Sequence, residues 1–156
     1  REYGQTSRFI ELSGEVNSSM AVYVINRLAE ALNTHEKSVK GSRILVIGLA
    51  YKANVDDERE SPGYILMDKL KQRGAEVAYY DPYVSEIGLT REHLHWAGSR
   101  SVEWTLETIA SFDAALISTA HEAMNCHDLA AWSPLIVDTR NAMASTETKP
   151  GQVWKA

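Results

Sequence analysis

The stretch RILVIGLAYKANVDDERESPG, residues 43–63, decides the fold. RILVI is a continuous apolar run, typical of a strand that is buried on both faces of a parallel sheet. Gly48 follows it, and a helix start signal comes later, with Ser61 as N-cap and Pro62 at the first helical position. This order is typical of a dinucleotide phosphate loop, but a charged loop of about a dozen residues replaces the second and third glycines of that fingerprint.

The same alternation of apolar runs and helical patterns continues after this stretch. Gly74 stands where a helix begun at Pro62 would end. The fold class predicted is therefore α/β, with a Rossmann-like, doubly wound parallel sheet. Strands are predicted at 43–47, 76–80, 114–118 and 135–138, a short final strand at 152–155, and helical patterns at 64–73 and 102–110.

A helical segment precedes the sheet. From Ser7 to Asn33 apolar residues recur three or four positions apart, which predicts one helix, or two helices that break at Gly14 or near 17–19. The polar connection 34–42 then separates a helical unit, 1–33, from an α/β domain, 43–156. The apolar stripe can pack on that domain or on a second copy of the chain, and both alternatives stay open.

Composition excludes several classes of protein. The 156 residues are 44% hydrophobic, enough for a core, and the net charge of -5 argues against a general nucleic-acid surface. The single cysteine, Cys126, cannot form an internal disulfide, and no signal peptide or membrane-spanning run is visible. We expect a cytoplasmic protein without a membrane or nucleic-acid partner.

Basic residues follow two of the predicted strands. Lys52 and Arg59 lie in the loop after the first strand, and Arg140 follows the strand LIVD. Because ligands of doubly wound sheets bind at the carboxyl ends of the strands, these cations are candidates for holding a phosphate group. The alternative is that Arg59 and the neighbouring acids form a solvated ion-pair network that shapes the loop.

Two other candidate sites are weaker. Asp81 ends the second strand, where a dinucleotide-binding fold places its ribose-binding acid, but the glycine fingerprint is absent and a structural turn is favoured. The spacing of His121, Cys126 and His127 matches neither a helical histidine pair nor a CxxC site. No metal site is predicted.

Three separated motifs carry a resemblance to a known family. AYKANVDDERESP, KQRGAEVAYYDPYV and LIVDTRN occur in the order found in the C-terminal domain of the UDP-glucose/GDP-mannose dehydrogenase family. With SRFIELSGEVNSSM, the chain most resembles the branch that acts on UDP-N-acetylhexosamines. The resemblance covers nearly the whole chain. It implies that residues 1–33 end a middle dimerisation region and that the α/β domain binds a nucleotide sugar.

The resemblance also implies an activity. The family oxidises the C6 alcohol of a UDP-sugar to a uronic acid, a precursor of surface polysaccharides, in two hydride transfers to NAD through a thioester on a cysteine. That cysteine and the NAD-binding domain are expected upstream of Arg1, and Cys126 matches no family nucleophile. We therefore expect no catalytic residue within these 156 residues, and no turnover without an N-terminal NAD-binding domain as partner.

Four site residues carry over from the family pattern. Tyr51, Lys52 and Arg140 match substrate-binding positions, and Arg59 matches an arginine that reaches NAD held by the other domain. Three hypotheses follow: a substrate-binding portion of a homodimeric nucleotide-sugar dehydrogenase, an independent NAD-binding module that uses Asp81, or a dimerisation scaffold without ligand affinity. The first is preferred.

Overall fold

The computed structural model describes residues 6–89 and 92–156, with the backbone alone for residues 6–11 and 18. Residues 1–5 of the predicted helical unit and the side chain of Phe9 thus lie outside the described residues. The helices are α1 (Thr6–Asn33), α2 (Pro62–Gln72), α3 (Leu106–Ala110) and α4 (Cys126–Trp132), with a 3₁₀ turn at Leu94–Trp96. The strands are β1 (Arg43–Ile47), β2 (Glu76–Tyr80), β3 (Ala114–Ile117), β4 (Ile136–Asp138) and β5 (Val153–Lys155).

The five strands form one sheet in the order β2-β1-β3-β4-β5, and every neighbouring pair is parallel. This confirms the predicted fold class, an α/β protein whose parallel sheet is preceded by a long helix. Strand order reverses between β1 and β3, since the chain moves from β1 to one edge and then returns past β1 toward the other edge. In such sheets, the point of reversal opens a crevice at the carboxyl ends of the strands.

Both faces of the sheet are covered, which explains the unbroken apolar runs. Ile44 and Val46 of β1 belong to the core cluster that contains α1 and α2. Leu45 and Ile47 belong to a second cluster with α3 and α4. Alternate residues of one strand point to opposite faces, so each face of β1 is fully buried.

Helix α1 runs without interruption through Gly14 and residues 17–19, so the helical unit is one helix rather than two. Its second half packs on α2, β4 and β5, and Leu28 and Leu32 are completely buried. Its first half exposes Leu12, Val16 and Met20 by 57%, 51% and 51%. The stripe is thus divided between burial in the α/β core and exposure. Among the described helices, none is long and apolar enough to cross a membrane.

Local signals set the ends of α2 as predicted. The Ser61 hydroxyl accepts a hydrogen bond from the Gly63 N–H at 3.1 Å, and Pro62 occupies the first turn. Gly74 follows the helix with φ of +84°, the left-handed conformation that closes helices at this position.

Two short helices differ from the sequence analysis. Residues 102–105 are not helical, because the Val102 N–H donates to the Tyr79 carbonyl at the end of β2 and Thr105 caps α3. Helix α4 was not predicted at all, since its seven residues are too few to show a helical period. The capping pair was its only local signal: the Asn125 side chain accepts from the Asp128 N–H at 3.1 Å.

Candidate functional site

The candidate site lies at the carboxyl ends of β1, β3 and β4, where strand order reverses. Three connections meet there: the β1–α2 loop, the β3–α4 loop and the turn after β4. Each begins directly after a buried strand, so the sheet fixes where each connection starts.

Gly48 allows two of these connections to touch. It has φ of +83°, its N–H donates to the Tyr80 carbonyl at 2.8 Å, and a Cβ there would lie 2.0 Å from the Thr119 carbonyl oxygen. The glycine that ends β1 therefore serves close contact between the β1 and β3 loops. This contact requires only the one glycine.

Asp81 holds the beginning of the β1–α2 loop. Its Oδ2 accepts from the N–H groups of Leu49 and Ala50 at 2.7 and 2.9 Å, and its Oδ1 accepts from those of Tyr83 and Val84 at 2.8 and 3.0 Å. Burial opposes ionisation, but the N–H groups of Tyr83 and Ala50 and the contact with His121 outweigh it, so the pKa of Asp81 is lowered. The structural interpretation of Asp81 is confirmed, because both oxygens are buried and occupied.

Both ring nitrogens of His121 are engaged by protein partners. Its Nε2 lies 2.9 Å from the Asp81 Oδ2, and its Nδ1 accepts from the Asn54 N–H at 2.9 Å.

Cys126 and His127 do not join His121 in a metal site. Cys126 Sγ lies 3.6 Å from the Ala142 carbonyl oxygen, and burial raises the pKa of its thiol, which opposes nucleophilic reactivity. His127 is exposed. In the described part of the chain, no three His, Cys, Asp or Glu residues are grouped to hold a metal ion.

A pocket of about 710 Å³ opens between α1, α2 and this edge of the sheet. Three of the four predicted site residues, Tyr51, Lys52 and Arg140, line it together. Its helical wall is mainly apolar and its loop wall polar. The helical wall includes Met20, Val24, Ile65 and Leu66, and the loop wall adds Glu60, Ser118 and Thr139 to the predicted residues.

Arg140 is fixed by the turn after β4. Its N–H donates to Asp138 Oδ1 at 2.9 Å, and its Nε donates to the Ser118 carbonyl at 2.7 Å. Among the described residues, none accepts a hydrogen bond from its two terminal nitrogens. The side chain is thereby oriented by one donor and keeps a fork of N–H groups for a ligand.

Tyr51 and Lys52 are presented by the first turn of the β1–α2 loop. The Tyr51 N–H donates to the Asp57 carbonyl at 2.7 Å, which closes the loop on itself. The Tyr51 side chain is 54% exposed, and Lys52 is exposed as well. Both side chains can therefore move onto a ligand while their backbone stays in place.

Arg59 lies apart from these three residues. Its Nε and one terminal nitrogen donate to the two oxygens of Asp57 at 2.9 and 2.8 Å, and its side chain is 82% exposed. The hydrogen bond from the Arg59 side chain, followed by its backbone N–H, lowers the pKa of Asp57 to about 2. The ion-pair interpretation of this arginine describes its present contacts, and Arg59 is not among the residues that line the pocket.

The residues that α1 and α2 contribute to the pocket were not predicted from the sequence. Met20 and Val24 look like ordinary members of an apolar stripe, and their position beside Arg140 depends on how α1 packs. Ser118 and Thr139 were within reach of sequence reasoning, because Ser118 ends the predicted strand 114–118 and Thr139 follows the predicted strand 135–138 at the same edge.

Comparison with known proteins identifies the domain. Residues 45–145, well over half of the chain, match the UDP binding domain of the UDP-glucose/GDP-mannose dehydrogenase family. This range contains all four predicted site residues.

Individual relatives agree with this match. The chain is 34% identical over 84 residues to the UDP-N-acetyl-D-mannosamine dehydrogenase of Methanococcus maripaludis, covering 54% of this chain and 19% of that protein. It is 27% identical over 150 residues to the enzyme of the same name from Methanococcus vannielii, covering 91% and 32%. The chain thus spans about a third or less of the length of these relatives.

The fold is shared with solved structures. The UDP-D-ManNAc dehydrogenase of Pyrococcus horikoshii superposes with a TM-score of 0.73 at 24% identity, covering 94% of this chain and 32% of that one. The likeness in fold agrees with the family match. The chain belongs to the UDP-glucose/GDP-mannose dehydrogenase family, of which it contains the UDP binding domain.

Proposed function

We propose that the chain is the substrate-binding, C-terminal portion of an NAD-dependent UDP-sugar 6-dehydrogenase and that its pocket holds the UDP-sugar. The observation that carries this proposal is the convergence of Lys52 and Arg140 on one pocket that also has an apolar wall. A UDP-sugar presents anionic phosphate oxygens together with the flatter faces of a base and a sugar. Cations recognise the first, and aromatic or apolar side chains pack on the second.

Each pocket residue has a role that suits its chemistry. The free fork of Arg140 is suited to two oxygens of one ligand group, since a guanidinium can donate two parallel hydrogen bonds. Lys52 adds a positive charge on a flexible side chain, and it comes from the β1–α2 loop, whereas Arg140 comes from the turn after β4. Tyr51 offers a ring face beside the lysine, and Glu60 offers an acceptor for hydroxyl groups.

We infer that the described residues do not bind NAD by themselves. Asp81 is buried, and both of its carboxylate oxygens already accept hydrogen bonds from the protein. The space beside Gly48 is filled by the Thr119 backbone. In the complete enzyme NAD would accept hydride from C6 of the sugar, and we propose that another domain binds it. Arg59, exposed beside the pocket loop, is the residue of this chain proposed to contact that cofactor.

The substrate proposed is a UDP-N-acetylhexosamine, and UDP-N-acetylmannosamine is preferred among them. The UDP-N-acetyl-D-mannosamine dehydrogenase of Methanococcus vannielii, which matches over 91% of the chain, supports this choice. UDP-glucose 6-dehydrogenases match over comparable lengths, so UDP-glucose is the competing substrate. Affinities of the isolated domain for UDP-N-acetylmannosamine, UDP-N-acetylglucosamine and UDP-glucose measure this preference, and we expect UDP-N-acetylmannosamine to bind most tightly.

Thermal unfolding with saturating UDP, UDP-N-acetylmannosamine or NAD tests the proposal. A ligand at about 100 times its dissociation constant stabilises the folded state by roughly 2.7 kcal/mol. We expect stabilisation by the UDP compounds and a smaller stabilisation at the same ligand concentration in Lys52→Ala and Arg140→Ala. Arg100→Ala is the matched control, because it removes an exposed arginine that lies outside the pocket. The side-chain partner of Arg100 is Glu86.

Other outcomes would favour the alternatives. Stabilisation by NAD without UDP would support an independent NAD-binding module. If no ligand stabilises the chain, the result supports a scaffold without ligand affinity and contradicts the binding proposal.

We also propose that the chain forms a homodimer through the first half of α1. Leu12, Val16 and Met20 are spaced four residues apart and all exposed by more than half, so they form an apolar stripe that another helix can cover. A second copy supplies an identical stripe, and two-fold pairing of identical surfaces is the commonest form of assembly.

Sedimentation of Leu12→Glu and Val16→Glu tests this dimer. Each change places a carboxylate in the stripe, and we expect the monomer to replace the dimer. Ser13→Glu adds the same group to an exposed position of α1 outside the stripe and should leave the dimer intact. A wild-type protein that stays monomeric at all concentrations would contradict the proposal.

A further inference from the structure

A hydrogen-bond network made of Asn54, Asp81 and His121, here called the His121 network, connects the loop that carries Lys52 to the end of β2. Asp81 and His121 are buried, whereas Asn54 is exposed. His121 belongs to the β3–α4 loop, Asp81 ends β2, and Asn54 follows Lys52 by two residues. Only 1% of the His121 side chain and none of the Asp81 side chain is exposed. The network therefore joins three separate connections beneath the pocket, without itself lining it.

Hydrogen-bond partners assign the imidazole tautomer. The Asn54 backbone N–H can only donate, so the His121 Nδ1 that lies 2.9 Å away accepts and carries no proton. The proton of the neutral ring is then on Nε2, which donates to Asp81 Oδ2 at 2.9 Å. One ring thus connects a carboxylate at the end of β2 to a backbone N–H of the pocket loop.

Asn54 makes two hydrogen bonds with the β3–α4 loop. Its backbone is in the left-handed region with φ of +63°, a conformation that asparagine tolerates better than most residues. Its side-chain oxygen accepts from the Glu122 N–H at 3.0 Å, while its own N–H donates to His121.

Lys52 lies between two attachments that share Asp81. Upstream, Asp81 Oδ2 accepts from Leu49 and Ala50, and the Thr119 hydroxyl donates to the Ala50 carbonyl at 2.8 Å. Downstream, Asn54 is held by His121, which is bonded to that same Oδ2. The backbone of Lys52 is thereby fixed on both sides, while its side chain is left for the ligand.

We propose that His121 is a positioning residue for ligand binding: it holds Asn54 and so places Lys52 over the pocket. This inference rests on the proposed binding of a UDP-sugar. Pre-ordering a binding loop removes the ordering cost from the binding step and raises affinity. Without the imidazole, Asp81 keeps its four backbone N–H partners, whereas Asn54 N–H loses its acceptor. The loop beyond Lys52 is then released while its beginning remains attached.

A double-mutant cycle distinguishes this role from a general effect on the fold. His121→Phe keeps a ring beside Tyr83, whose ring centre lies 5.0 Å from that of His121, but removes both hydrogen bonds. We expect UDP affinity, measured by calorimetry, to fall about tenfold in the wild-type and Arg140→Ala backgrounds and less than about twofold in Lys52→Ala. Equal losses in all three backgrounds, or unchanged affinity in the wild-type background, would overturn the inference.

Two further variants sharpen the cycle. His121→Asn keeps an acceptor near the position of Nδ1, so it should recover most of the affinity although it leaves a small cavity. His127→Phe makes the same change at an exposed histidine on α4 and should bind UDP like the wild type.

Hydrogen exchange tests the positioning role without a ligand. In His121→Phe we expect the Asn54 amide to exchange at least about tenfold faster, while the amides of β1 keep their protection. Faster exchange with no UDP binding by the wild type would contradict the proposed function and leave the positioning role supported. Unchanged exchange at Asn54, or exchange raised equally across β1, would overturn the positioning role whatever the wild type binds.

Discussion

The Nε of Arg140 lies 2.7 Å from the carbonyl oxygen of Ser118, and this hydrogen bond joins the turn after β4 to the end of β3. One donor of the guanidinium thus orients the side chain, and its two terminal nitrogens have no acceptor among the described residues. A lysine at this position could supply the charge, but its donors share one tetrahedral nitrogen and do not form the planar pair that a guanidinium offers.

Arg140→Lys should therefore weaken UDP binding although it conserves charge. We expect a loss of about tenfold, or roughly 1.4 kcal/mol, because the fork is lost while the Coulomb attraction remains. Calorimetric titration with UDP measures it. Arg100→Lys, the same change at an exposed ion pair with Glu86, should leave the affinity unchanged. Full affinity in Arg140→Lys would show that the fork is not used.

Gly48→Ala should disrupt the fold far more than Gly41→Ala. Both glycines have nearly the same φ, +83° and +82°, so the backbone strain of an alanine is similar. At Gly48 the new Cβ would lie 2.0 Å from the Thr119 carbonyl oxygen, whereas at Gly41 nothing lies within 4 Å. We expect about 1–2 kcal/mol for Gly41→Ala and more than about 4 kcal/mol for Gly48→Ala by urea unfolding. Equal losses would mean that the loops separate easily.

The strands and the first crossover helix could be predicted because their signals are local. Each strand is an apolar run, and Ser61, Pro62 and Gly74 mark the limits of α2 through their own backbone preferences. Short helices carry too few residues for a period, so α4 went unpredicted and α3 was predicted too long.

The candidate site was predictable to the extent that it follows from the sheet. Lys52 and Arg140 come from loops after parallel strands, and such loops must meet at one edge. The apolar wall depends on the packing of α1, which no local pattern specifies. The pairing of His121 with Asp81 was equally hidden, since the two residues are 40 positions apart and His121 lies outside the three family motifs.

Asp81→Asn should be strongly destabilising. The carboxylate accepts four backbone hydrogen bonds and one from His121, whereas an asparagine would turn an NH₂ group toward some of these donors. We expect a loss of about 3 kcal/mol or more in the free energy of unfolding, measured by urea titration. Asp57→Asn, which changes a more exposed carboxylate paired with Arg59, should have a much smaller effect on stability, because solvent screens an exposed ion pair. Comparable losses at the two sites would contradict the role assigned to Asp81.

Asp113 should make part of the stability depend on pH. Its Oδ2 accepts from the Arg43 N–H at 2.8 Å, and its Oδ1 forms an ion pair with Lys37, which connects the start of β1 to the segment before it. Burial opposes its ionisation, but the bonds from Lys37 and Arg43 outweigh burial and lower the pKa of Asp113. Below about pH 4 the unfolded chain therefore binds a proton before the folded protein does, and stability is lost as the pH falls.

Comparison of Asp113→Asn with the wild type isolates this contribution, because asparagine resembles the protonated acid. We expect the variant to be less stable by about 1 kcal/mol at pH 7, and the difference to shrink as the pH falls from about 4 through the lowered pKa of Asp113. Urea unfolding at several pH values measures the difference. In a Lys37→Met background the pH-dependent difference should be smaller, since one of the groups that lower the pKa is gone. A difference that stays constant between these pH values would mean that Asp113 acts through packing rather than through its charge.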